Sequence, residues 1–426
     1  MAPSDMRIEM NHNPVELMER SLSGDRLELL RLLARQASLL RLPLYLVGGV
    51  VRDILLGAAV NDFDLVVEGD AIKLARSLAS LHGGKVTAHS KFGTAKWFLP
   101  EKLAPQTQAL HAIDIISARS ETYHHPAALP TVKLGSIEDD IRRRDFTINA
   151  LAIRLDGAHF GELRDDMHGL NDLQKGIVRV LHPHSFIDDP TRMYRAVRYE
   201  KRYQFEIAKD TLALIPAARS LVEKLSAQRI RHELELMLDE KDAVAMLARL
   251  DELDLLSVIH PALSNFHASK LANLKSEDPA LQNRDARWLL WLMHLGEQEI
   301  EMLNQRLHFT SGLLKMLLSG SALYANLNAL AGLKPSQSVE LLEGYSLRAI
   351  ETLDQILPEG EIKNKIEYYL SEWRHVKPKT TGHDLKKLGL EPGPKYAEVL
   401  RRLRAAWLDG EVKSKEEEER LLKSIV

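Results

Sequence analysis

The sequence predicts an α+β chain in which a small mixed β-sheet unit is followed by an all-helical remainder. Three observations carry this. Short β-type runs crowd between Leu44 and Leu155, with glycine and asparagine between them. Two helix-type segments interleave with those runs. Beyond residue 160 the apolar spacing becomes helical, and proline and glycine serve as punctuation at Pro190, Pro216, Pro358 and Glu391–Pro394.

Taken in order, residues 14–40 place Leu27, Leu30, Leu33 and Leu40 at helical spacing, so residues 1–40 read as an N-terminal helical segment. The predicted strands are Leu44–Val47, Phe63–Val67, Thr94–Leu99, Ala112–Ile116 and Ala150–Leu155, with helices at Val50–Leu56 and Ala71–Leu81. This makes residues 41–160 an α+β head, 161–240 a helical neck and 241–426 a helical body and tail. The acidic run Glu416–Glu419 reads as the solvated face of a last helix.

Composition narrows the function. The absence of cysteine excludes disulfides, thiolate zinc sites and thiol catalysis. The N-terminus, with Asp5, Glu9 and Glu16, lacks a signal-peptide profile, and the longest apolar stretch, Trp288–Leu295, is too short for a bilayer. A cytoplasmic protein with no membrane partner is expected. A net charge of −3 means that any nucleic-acid surface must come from local clustering. One cluster exists: Arg374–Arg404 holds nine Lys or Arg against three Asp or Glu, beside Trp373, Tyr396 and Trp407, whose bulk suits a core.

Asn61–Val67 carries the most chemistry. Residues two apart on a strand share a face, so Asp62 and Asp64 point the same way and repel unless a cation lies between them. Magnesium takes one or two carboxylates plus substrate phosphates, which suits such a pair. Asp114, in an apolar strand, would be costly without a partner and is a third acid. Shortly before the pair, Leu44–Asp53 runs from strand to helix through Gly48 and Gly49, where backbone amides can approach phosphate, and Arg52, ten residues before Asp62, lies one turn into the helix.

Two arginine segments follow. In Arg142–Ala150, Arg142 and Arg143 read as a solvated basic turn ahead of Arg144, Asp145 and Asn149, which lead into a buried-looking strand and read as phosphate and sugar contacts. In Asp188–Arg198, Asp189 suits a helix N-cap and Pro190 the first helical position. Arg192, Arg195 and Arg198 then form a stripe of like charge that an anion would answer, opposite a packed side of Met193, Ala196 and Val197. The histidines His124, His125, His182 and His184 lack metal-ligand spacing, and His383–Asp384 lacks companion histidines.

Together these motifs resemble the class II tRNA nucleotidyltransferase and bacterial poly(A) polymerase family of the polymerase-β superfamily. The resemblance rests on Gly48–Asp64, Arg143–Ala150, Asp188–Arg192 and Ser226–Leu234, and spans residues 44–240. It implies a nucleotidyltransferase head, Mg²⁺ on Asp62 and Asp64, and triphosphate contacts from Gly48, Gly49 and Arg52, with Asp114 as the further catalytic candidate that the strand pattern offers. It further implies that Arg144, Asp145 and Asn149 hold phosphate and ribose, and that Asp189 and Arg192 read the base of CTP or ATP. Arg195 and Arg198 would complete that site, and the basic tail would hold the tRNA acceptor stem. The family's first template acid is Glu, where this chain has Asp188. Lys91–Thr94 and Pro126–Pro130 look more like the A-adding branch. CCA-adding, CC-adding, A-adding and poly(A) activities all stay open, as does a non-catalytic RNA-binding homologue, although none of the site residues it would lack is missing. The sequence carries no sign of oligomeric state.

Overall fold

The computed structural model describes residues 13–60, 62–103, 110–122, 131–264 and 283–426. The chain divides into two compact units, Met1–Arg229 with Glu252–Ile259, and Ile230–Asp251 with His260–Val426. The Pro126–Pro130 segment and the His124–His125 pair lie outside the described residues.

The first unit opens with two helices, α1 (Pro14–Ser21) and α2 (Gly24–Leu39), where one segment was expected. Strand β1 (Leu44–Val47) leads into α3 (Gly49–Leu55), and β2 (Leu65–Val67) into α4 (Ala71–His82). Asp70 caps α4 by accepting from the Ile72 and Lys73 amides, and Gly83, at φ 88°, ends it. Then come β3 (Lys85–His89), β4 (Thr94–Phe98), β5 (Ala112–Ser117), β6 (Arg119–Thr122) and β7 (Thr131–Leu134). Helix α5 (Ile137–Arg142) starts with a capping box between Ser136 and Asp139. Beyond it lie β8 (Ala152–Arg154), β9 (Glu162–Arg164), α6 (Gly169–Lys175), β10 (Ile177–Val178), α7 (Ser185–Asp188) and α8 (Thr191–Arg202).

Seven strands form one mixed sheet in the order β3-β4-β5-β2-β1-β8-β9, with only β2 and β5 parallel among its neighbours. Alternation sorts its two faces. Leu44, Leu46, Leu65, Val67, Ala95, Trp97, Ile113 and Ile115 are buried on one face, on the side where α4 packs against β3, β4 and β5. Tyr45, Val47, Val66 and Ala152 lie on the other and join Ile137 and Ile141 of α5 in one cluster. Helix α5 covers only that end of the second face. Towards β3, the same face carries exposed Lys85, Thr87, Lys96, Phe98 and Asp114. This asymmetry sets the site.

The second unit is helical among its described residues. Ala227–Leu238, which contains most of the Ser226–Leu234 motif, carries the chain into it. Helices Arg284–Leu292 and Ser311–Asn326 approach closely enough that a Cβ at Gly320 would lie 2.4 Å from Leu289 Cδ1. At the C-terminus Leu385, Val399, Leu403 and Leu422 form a small core, flanked by half-buried Tyr396. The acidic run is not all solvated. Glu418 is buried, and its carboxylate accepts from the Lys379 amide at 2.9 Å, the Thr380 amide at 2.6 Å and Trp407 Nε1. Burial would raise its carboxyl, but the Thr380 hydroxyl, which also donates to it, together with these three donors holds it below the ordinary glutamate value.

Candidate active site

The two aspartates stand just ahead of the strand rather than in it, because β2 begins at Leu65. Their alternation still holds: Phe63 and Leu65 are buried while Asp62 and Asp64 are exposed. The Val47 amide donates to the Asp64 carbonyl at 3.1 Å and ties this stretch to β1. In the parallel register Leu65 faces Ile115 and Val66 faces Ile116, so one ladder step back puts Asp64 beside Asp114 on the same face. Asp114 is not a buried acid in search of a partner. It is exposed and pairs with Lys96 at 3.2 Å across β4. Although part of the Asp64 side chain reaches solvent, the atoms packed around its carboxyl take away some of its water and push it above its ordinary value; Arg144 opposes this, and Asp62, Asp114 and Asp140 add repulsion. A divalent cation would relieve that repulsion, so the acids fit one. Among the described residues no three or more His, Cys, Asp or Glu converge as a finished metal cage. An ion here would therefore complete its shell from substrate oxygens and water.

Gly48 forms the turn above these acids, at φ 72° and ψ −133°, and a Cβ there would lie 2.2 Å from Arg144 Nη1. The backbone angle requires glycine, and any side chain there would push the Arg144 guanidinium aside. Arg144 donates to Asp140 at 2.9 Å, and Arg143 donates to the same wholly buried carboxylate at 2.7 Å.

Arg52 departs from expectation. Its guanidinium is buried, donates to Asn149 Oδ1 at 2.6 Å and to Asp53 at 2.8 Å, and stacks 4.6 Å from the Tyr203 ring centroid. It braces the turn from beneath, and Gly49 is the residue that its Nη2 approaches, 3.3 Å from a would-be Cβ. Asn149 closes a 3₁₀ turn, Thr147–Asn149, that leads towards β8. Its amide donates to Asp145 at 2.9 Å, and Asp145 receives Arg195 Nε at 2.7 Å. Burial alone would raise the Asp145 carboxyl; Arg195, Asn149 and Arg192 outweigh it and hold the value at about 2. These polar groups therefore answer one another, and their burial does not by itself demand a substrate.

Helix α8 starts at Thr191 with Pro190 as its cap, one residue later than expected; Asp189 still accepts from the Thr191 amide at 2.9 Å. Asp189 also pairs with Arg229 at 2.7 Å. The arginine stripe is partly answered from within. Arg192 is buried and donates to Ser185 Oγ at 2.7 Å and the Arg143 carbonyl at 3.0 Å, and Arg198 is buried beside Tyr199. A cavity of about 200 Å³ opens among Glu121, Arg142, Arg143, His182, Asp188 and Arg192. His182 was passed over for want of ligand spacing, yet it stands 3.9 Å from Asp188. Burial and Arg192 lower its pKa, against the pull of Asp188. Its only sequence signal was nearness to the Asp188 motif.

An open sheet with paired acids under a glycine turn, followed by an arginine-bearing helix, is the layout of a nucleotidyl-transferring head. Residues 44–179 match the Poly A polymerase head domain, and residues 204–266 match the probable RNA and SrmB- binding site of polymerase A. The A-adding tRNA nucleotidyltransferase of Halalkalibacterium halodurans is 35% identical over 95% of this chain and 94% of its own length. The Thermotoga maritima CCA-adding enzyme complexed with tRNA is 30% identical, with a TM-score of 0.74 over 97% of this chain and 99% of that one. A CCA-adding enzyme in complex with ATP gives 30% identity and 0.77 over 97% of each. The chain belongs to the tRNA nucleotidyltransferase and poly(A) polymerase family of template-independent RNA nucleotidyltransferases. Nucleotidyltransferases of this family use a divalent metal. No helix among the described residues is long and apolar enough to cross a membrane.

Proposed function

We propose that this protein adds CCA, in whole or in part, to the 3′ end of tRNA from CTP and ATP in the cytoplasm, with Mg²⁺ as the metal. The observation that supports this is the closeness of Asp64 to Asp62, Asp114 and Arg144, with Arg144 against the Gly48 turn. Asp62 and Asp64 would hold Mg²⁺, which neutralises phosphate charge and favours the ionised 3′-hydroxyl. The 3′-oxygen bonds to the α-phosphorus, the bond from that phosphorus to the bridging oxygen breaks, and pyrophosphate leaves. Amides of the Gly48–Gly49 turn and Arg144 receive the triphosphate, while Asp145, Asn149, Arg52 and Arg195 brace the turn and its neighbours. Asp189, Arg192 and Arg198 form the base-reading side, next to the His182 cavity.

Residues 41–160 serve as head, 161–240 as neck and 241–426 as the body and tail that hold RNA. Supporting the last is a cavity of about 1080 Å³ bordered by Lys377, Lys395 and Arg401, although Glu340, Glu343 and Glu398 also line it. A-only addition is the second reading, favoured by the near full-length A-adding relative. Single-turnover assays on tRNA transcripts ending before CCA, before A and after A separate the readings. Extension of none of them refutes both.

A further inference from the structure

The half of the sheet that α5 leaves bare lies immediately beside the acids. Across β3, β4 and β5 the registers pair Lys85 with Phe98, Thr87 with Lys96, and Lys96 with Asp114, so all five side chains emerge on one face. That face is wet: Lys85 and Thr87 are exposed, and Phe98 is 41% exposed. Lys85 has no ion-pair partner among the described residues, whereas the opposite face of the same strands buries Trp97, Ile113 and Ile115. A large aromatic ring left in water between two lysines is an apolar surface with a basic rim.

Direction decides the occupant. The Gly48 turn and Arg144 stand on the β1 side of Asp64, whereas Lys96 and Phe98 stand beyond Asp114, on the β4 side. In-line displacement puts the attacking and leaving oxygens on opposite sides of the α-phosphorus. If the triphosphate arrives over the glycine turn, the attacking strand must come in over β5 and β4.

We infer that the open face of β3–β5 seats the 3′-terminal nucleotides of the RNA being extended, with Phe98 stacking a base and Lys85 and Lys96 meeting backbone phosphates. This rests on the proposed function and gives the acceptor strand a specific bed. Bases of any identity stack on an aromatic ring, and lysine attracts phosphate irrespective of sequence. Such a platform would tolerate the changing 3′ end that successive additions create. Lys96, paired with Asp114, would join that bed to the reacting hydroxyl.

The test uses the full chain, Phe98→Ala and Lys85→Glu, neither of which is a partner in the Lys96–Asp114 ion pair, with Phe98→Tyr as the conservative control. KM for a tRNA transcript should rise about tenfold in the first two variants and recover with Tyr, while KM for ATP stays within about twofold. A transcript carrying 4-thiouridine at its 3′ terminus should photocrosslink within residues 85–98. Unchanged KM for RNA in active variants, or a crosslink confined to other peptides, overturns the platform and leaves the proposed function intact. A wild-type protein that extends no transcript overturns both.

Discussion

Gly48→Ala tests the centre of the site, because the structure makes the turn's backbone and Arg144 compete for one space. At φ 72° and ψ −133°, a side chain at position 48 carries backbone strain of about 1–3 kcal/mol. The added methyl would also lie 2.2 Å from Arg144 Nη1, so the end of the Arg144 side chain must shift, and the 2.9 Å bond from its Nη2 to Asp140 is what that shift puts at stake. A charge-assisted bond of that kind contributes about 1.5–3 kcal/mol. The two effects can be separated with Arg144→Ala, which vacates the contested space while Asp140 keeps Arg143. In that background Gly48→Ala should cost only the backbone strain, giving a coupling of about 1.5–3 kcal/mol in a double-mutant cycle. Guanidinium titrations of the four proteins measure it, and KM for ATP should show the same non-additivity. Additive effects on both would refute the steric argument and remove Arg144 from the turn's side of the site.

Three further outcomes follow from named contacts. Asp64→Asn should abolish nucleotide incorporation while tRNA binding by filter retention stays within about twofold, since the change removes a metal charge rather than an RNA contact; retained incorporation excludes Asp64 from the metal site. Asp145 has a depressed folded pKa, so its contribution is present above the ordinary aspartate value and disappears as pH falls towards about 2. The stability gap between wild type and Asp145→Asn, about 2 kcal/mol at neutral pH, should therefore shrink from about pH 5 to about pH 3, and a constant gap in denaturant midpoints contradicts the ion pair. Arg192→Ala should loosen the choice between CTP and ATP more than it weakens triphosphate binding; competition assays showing unchanged selectivity would end its template role.

What could be read from the sequence was local. Period-two alternation placed Asp62 and Asp64 on one face although the strand starts later, because the extended backbone keeps its alternation through the approach to β2. Gly48 announced itself through its neighbours. The strand Lys85–His89 went unseen because its packed positions, Val86 and Ala88, are small and its other positions polar, which leaves little apolar contrast. Partners distant along the chain were also out of reach. Arg52 was read as a phosphate ligand, and nothing nearby in sequence showed that Asn149, 97 residues on, would also accept from its guanidinium. Glu418 was hidden in an acidic run for the same reason, since its donors lie at Lys379, Thr380 and Trp407. The arginine stripe was found, but its internal partners were not.

Those partners rank the arginines as phosphate ligands. A triphosphate must displace whatever a guanidinium already holds, so its gain is a difference between two pairings. Arg195 gives up most: it is bound to Asp145, a buried carboxylate held at about 2, and leaving would remove the largest of the groups that stabilise that charge. Arg52 would have to leave Asn149, Asp53 and the Tyr203 ring together. Arg144 is different. Its carboxylate partner, Asp140, is shared with Arg143, so departure leaves the buried charge still answered. Its field already reaches Asp64, where the α-phosphate would be drawn. Of these three cations, Arg144 is the one that can turn to the incoming triphosphate at least cost, while the other two serve better by staying where they are.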